Sequence, residues 1–92
     1  MAQFPTGSAK KFVQSLADGY ATLTVTNLRK FEPPQLKEML NNIAVVERES
    51  RAEQFEEGDF EGNRRKNHRL ANLRRARLVI HGFAKSRRIS LS

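Results

Sequence analysis

Pro33-Pro34-Gln35-Leu36-Lys37-Glu38-Met39-Leu40-Asn41-Asn42-Ile43-Ala44-Val45-Val46 opens on two prolines and then repeats apolar residues at helical spacing. Proline suits the first turn of a helix, because its missing N–H would have no intrahelical partner there. Leu36, Met39, Leu40, Ile43 and Val46 follow at spacings of 3, 1, 3 and 3, an unbroken stripe with Lys37, Glu38, Asn41 and Asn42 off it. The residues that continue from Glu47 are mostly good helix formers. They predict one long amphipathic helix over about 34–57 that ends by Gly58.

Downstream, Gly58 to Asn63 reads as a polar connection. Leu70, Leu73, Ala76, Ile80 and Phe83 then recur at 3, 3, 4 and 3, which predicts a basic second helix over about 64–82, stopping around Gly82. Upstream, Phe12, Val13 and Leu16 line one face of a short helix that stops near Asp18 and Gly19. Thr22-Leu23-Thr24-Val25-Thr26 alternates with period two and is rich in β-branched residues, the pattern of a half-buried strand, but five residues leave strand and helix both open. The expected class is mostly α. A loose tail over 1–11 precedes a single helical domain over 12–83, and a basic tail over 84–92 follows it.

A chain of 92 residues has a core near the lower limit for a lone monomer. With one other clear amphipathic helix, it would build only a thin two-layer core by itself. The sequence reading is therefore that Leu36, Met39, Leu40, Ile43 and Val46 form the seam of a homo-oligomer, a dimer at least. There is no cysteine, which rules out disulfides and thiolate metal sites and suits a reducing cytoplasm. Lys10 and Lys11 are not followed by the apolar run of a secretory signal. Near the C-terminus the longest apolar run is Leu78-Val79-Ile80, far below the ~20 residues that cross a bilayer.

Charge is strongly segregated along the chain. Glu47 to Glu61 holds seven acidic residues against Arg48 and Arg51, and after Glu61 there is no acidic residue at all. Arg64, Arg65, Lys66, Arg69, Arg74, Arg75, Arg77, Lys85, Arg87 and Arg88 place ten cations in that last third. Two accounts compete for them. They could contact the phosphates of a polyanion, or they could pair with the acidic segment in the same or a neighbouring chain. Ten cations against seven anions leave an excess, and eight of the ten are Arg, the side chain suited to phosphate forks; both facts favour nucleic acid. Tyr20, Phe31, Phe55, Phe60 and Phe83 are too scattered along the sequence to define a base-stacking platform.

Catalysis has little to build on, and no catalytic residue, metal ligand or cofactor is assigned. His68 and His81 lie thirteen positions apart among cations, which disfavour protonation and metal capture alike. No glycine-rich phosphate loop or serine elbow occurs.

Leu36 to Arg51 as a whole is similar to the third helix of the N-terminal oligomerisation domain of the histone-like nucleoid-structuring (H-NS) family, which has a Leu-x-Glu-Met-Leu run, a Val-Val pair and a Glu/Arg-rich continuation. Arg29 and Phe31 resemble the Ala-Arg-Glu-Phe/Leu step ahead of that helix, and Val13-Gln14-Ser15-Leu16 resembles the start of the family's first short helix. The resemblance implies two short helices and a long third one that dimerise, a further self-association surface, and a nucleoid role in coating DNA and silencing transcription. It does not extend to the family's tryptophan-flanked DNA-binding loop, since the chain has no Trp. Two routes remain to that role: DNA binding by the chain's own basic helix, or co-assembly with a full-length H-NS-family protein. The alternatives are a ribosome- or RNA-associated helical hairpin whose arginines straddle phosphates, and a ribbon-helix-helix repressor reading DNA with Thr22–Thr26.

Overall fold

The structure is a computed structural model and describes residues 8–91. Four helices follow one another: α1 (Ala9–Ala17), α2 (Val25–Leu28), α3 (Pro33–Ala52) and α4 (Phe60–Ser86). The mostly helical class expected from the sequence is what is observed. Among the described residues there is no strand, and no helix is long and apolar enough to cross a membrane.

Local chemistry explains the helix starts. The Ser8 hydroxyl accepts from the N–H of Lys11 at 3.1 Å and opens α1, which therefore takes in Ala9, Lys10 and Lys11 from the stretch read as a tail. The rest of that tail, 1–7, lies outside the described residues. Thr24 does the same for α2, its Oγ1 accepting from the Asn27 N–H at 3.2 Å. Thr22–Thr26 is thus an N-cap and a helical turn, and the ribbon-helix-helix reading loses its DNA-reading strand. At α3 the Glu32 N–H donates to Gln35 Oε1 at 2.8 Å and the two prolines fill the first turn.

Both long helices differ from their expected bounds. α3 ends at Ala52, not near 57, although the following residues favour helix. α4 supplies the reason: Lys66 Nζ donates to the carbonyls of Arg51 (3.2 Å) and Glu53 (2.9 Å), and Phe55 turns in over Gly62. Tertiary contacts override propensity here. α4 begins earlier than expected, at Phe60, because Asp59 caps it by accepting from Gly62 N at 2.9 Å. It also runs through Gly82 to Ser86. Its end is a Schellman turn, with Ile89 N–H bonded to Ala84 O at 2.8 Å, Arg88 N–H to Lys85 O at 3.2 Å, and Arg88 itself in the left-handed region at φ 57°. Ile89 and Leu91 pack against the core, so the stretch read as a basic tail is largely part of the fold; Ser92 lies outside the described residues.

α3 and α4 form an antiparallel hairpin across residues 53–59, and α1 lies against both. This third layer is what the two-helix expectation lacked. Phe12, Val13 and Leu16 of α1 and Leu28 of α2 close a core with Leu73, Ala76, Ile80 and Phe83 of α4. Leu36, Met39, Ile43 and Val46 are the centre of that core, each at most 1% exposed, and Leu40 is half-buried at its edge. The stripe assigned to an intermolecular seam is therefore covered within one chain, because α1 provides the apolar surface that a partner was expected to supply.

Candidate nucleic-acid interface

α4 carries all ten basic residues of the last third either along its length or in its C-terminal turn. At 27 residues it is about 40 Å long, and its inward face is set by Gly62, Leu73, Ala76, Ile80, Phe83 and Ala84. That face sorts the cations into two groups.

Three of them hold the fold together. Arg77 pairs with Glu47, whose side chain is only 4% exposed, and Arg51 approaches the same carboxylate at 3.9 Å from one turn along α3. Arg69 reaches two elements at once: its Nε is 3.3 Å from Asp18 Oδ1 after α1, and its Nη1 is 3.3 Å from Glu53 Oε1 after α3. Lys66 caps the end of α3 as described above. Their positions follow a rule, for Lys66, Arg69 and Arg77 lie seven before, four before and four after Leu73, which is the helical spacing of the apolar stripe. That spacing was the available signal, and a reading by charge alone passed over it. Two buried polar atoms beneath this helix make no hydrogen bond among the described residues: the hydroxyl of Ser50 on α3, which is 1% exposed, and Arg69 Nε, which meets Asp18 at ion-pair distance only.

The other seven point to solvent. Arg64, Arg65, Arg74, Arg75, Lys85, Arg87 and Arg88 are all exposed, and no ion pair among the described residues reaches any of them. Arg87 sits over the Phe83 ring, its guanidinium carbon 5.3 Å from the ring centre. The acidic segment thus engages only part of the basic excess: Glu49 is taken up by Lys10 at 3.3 Å, Glu47 and Glu53 by Arg77 and Arg69.

Four of these seven cations also share one spacing. Arg64 and Arg75 are 11 residues apart, as are Arg74 and Lys85. Eleven residues are about three turns, or ~16 Å, so the two members of each pair lie on nearly the same side of the helix, the two pairs about 80° apart around it. A broad basic face of this kind can follow a phosphate backbone. It contains little else that is chemically active. His68 and His81 are both exposed, and among the described residues no three of His, Asp and Glu gather where they could hold a metal ion.

Two aromatic side chains change their standing in the fold. Tyr20 and Phe60 are forty positions apart in the chain, yet Tyr20 lies beside Arg64 and Arg65 and Phe60 lies beside Arg64 from the other side. In the fold the two flank Arg64 and His68, which line both of their grooves. Comparison with known proteins adds no relative: no family model, curated protein or solved structure matches this chain.

Proposed function

We propose that this chain is a DNA-associated regulator that holds the phosphate backbone through the outward edge of α4. The observation that supports this is the group of seven exposed cations along α4 and in its C-terminal turn, unpaired among the described residues, four of them in pairs three turns apart. Phosphate contact by such a row is sequence-independent, and it gains its free energy largely from counterion release. The resemblance of Leu36–Arg51 to the H-NS family favours DNA over RNA and the nucleoid as the setting. With the apolar stripe covered inside one chain, the binding unit is taken as the single chain, and sedimentation in the binding buffers checks it.

A second reading keeps its place on one observation: α3 and α4 form the antiparallel hairpin that an RNA-associated protein of this kind needs. The deciding experiment is a salt series with DNA and RNA duplexes of the same sequence. Seven phosphate contacts at about 0.9 each predict a log–log slope approaching −6 on DNA. A slope shallower than about −2, or no binding at 50 mM salt, rejects phosphate contact by this face. Clearly tighter binding to the RNA duplex selects the second reading.

A further inference from the structure

Tyr20 is 87% exposed and Phe60 83%, the two highest values among the large hydrophobic side chains described. Rings of this size normally contribute to a core, and two left in solvent on either side of the same arginine are the unusual case. Their surroundings suggest a use. The turn after α1 presents Tyr20 above one open groove, of about 360 Å³, and the start of α4 presents Phe60 above a second, of about 450 Å³. Arg64 and His68 line both, so the two grooves meet along one ridge. Arg65 adds a second cation on the Tyr20 side, and Asn67 adds an amide on the Phe60 side.

We infer that this end of α4 is a binding site for unpaired nucleotides, a segment of single-stranded nucleic acid whose bases stack on Tyr20 and Phe60 while Arg64 and Arg65 hold the phosphates between them. The inference rests on the reading of the exposed cations as phosphate contacts and adds a class of ligand to it. Aromatic faces interleaved with cations are what a single strand requires, because each base has a stacking face and each linkage a negative charge. A duplex hides those faces against neighbouring bases, so it can use the cations but not the rings. His68 offers a third flat ring on the ridge, and the Asn67 amide can both donate to and accept from a base edge. One carboxylate, Asp18, lines the site, and a second, Glu61, follows Phe60 in the chain. Asp18 is engaged by Arg69, and Glu61, exposed beside Phe60, opposes the strand and limits its affinity.

The chain has one Tyr and no Trp, so its intrinsic emission reports Tyr20 alone. The experiment titrates the full chain with a mixed-sequence single strand of about twelve nucleotides and with the same sequence as a duplex, following Tyr emission and the anisotropy of an end-labelled strand. Emission is expected to fall by more than about half with the single strand and to change little with the duplex, as stacking on a base requires. Tyr20→Ala and Phe60→Ala are each expected to weaken single-strand binding about tenfold and to leave duplex binding within about twofold. Both side chains are exposed, and unchanged melting curves for the variants would confirm that the loss is not one of folding. Single-strand binding with unaltered Tyr emission, or variants that bind it like the parent, overturns the stacking site. Should the duplex bind and the single strand fail to, the stacking site falls while the backbone reading stands; should neither bind, both fall.

Discussion

On the inward side of α4, Arg77 closes on the nearly buried carboxylate of Glu47, whereas Arg74 and Arg75, three and two residues earlier, face solvent with no ion pair among the described residues. The residue type is the same and the positions almost adjacent. What separates them is the angle each makes with the apolar stripe through Leu73, Ala76 and Ile80. A buried ion pair is costly to break because the remaining charge stays desolvated, while an exposed cation contributes little to folding and remains available to a ligand. The two sides of one helix therefore separate the cations that hold the fold from those left unpaired among the described residues, and on the proposed reading stability and binding can be altered independently.

The largest effect is expected on the inward side. Arg77→Ala leaves the Glu47 carboxylate, 4% exposed, with only Arg51 at 3.9 Å, and should lower unfolding free energy by about 3 kcal/mol in a urea titration; a loss under about 1 kcal/mol would place the pair with ordinary surface bridges and erase the contrast. On the outward side, replacing Arg64, Arg65, Arg74 and Arg75 together with Gln should weaken duplex binding about 50-fold in 0.1 M salt, about 2.3 kcal/mol, and flatten the salt slope by about 3 to 4. The same variant should melt within about 2 °C of the parent, and a larger drop would mean that these arginines are structural after all.

Two glycines of α4 sharpen the comparison further. A Cβ on Gly62 would come within 2.5 Å of the Phe55 ring and 2.7 Å of Asp59 Oδ2, while one on Gly82 meets nothing within 4 Å. Gly62→Ala should thus destabilise by about 1–2 kcal/mol, against alanine's own helix preference. Gly82→Ala should stabilise by about 1 kcal/mol. Opposite signs in thermal melts are the expected result, and equal signs would show that packing around Phe55 does not distinguish the two faces.

Much of this was legible in the sequence. The stripe from Leu36 to Val46 announced α3, the prolines announced its start, and the recurrence from Leu70 to Phe83 announced α4. What periodicity could not show was where the partner surfaces came from. α1 offers few apolar positions, and its contribution to the core is apparent only once Phe12, Val13 and Leu16 are seen against α3 and α4. Helix ends were misplaced for the same reason: Lys66 and Phe55 act across the hairpin, beyond the reach of local propensity. For the site, the ten cations were evident but not their division, and the proximity of Tyr20 to Arg64 depends on how the turn after α1 docks. That docking spans most of the chain.

The short connection over 53–59 also bears on the order in which the chain folds. Lys66 meets Glu53 across 13 positions, whereas Asn72 meets Ala17, donating to its carbonyl at 2.9 Å, across 55. Closing the longer span costs about 1.2 kcal/mol more by loop-length scaling, roughly two doublings. Pairing of α3 with α4 is therefore the first encounter with a low entropic barrier, zipping from the loop toward Arg77 and Glu47, and α1 docks onto a hairpin already formed. By the same logic α1 is the first element to leave. Its transient release would carry Tyr20 away from Arg64 while the rest of α4 kept its shape, on the timescale of local opening and not of global unfolding.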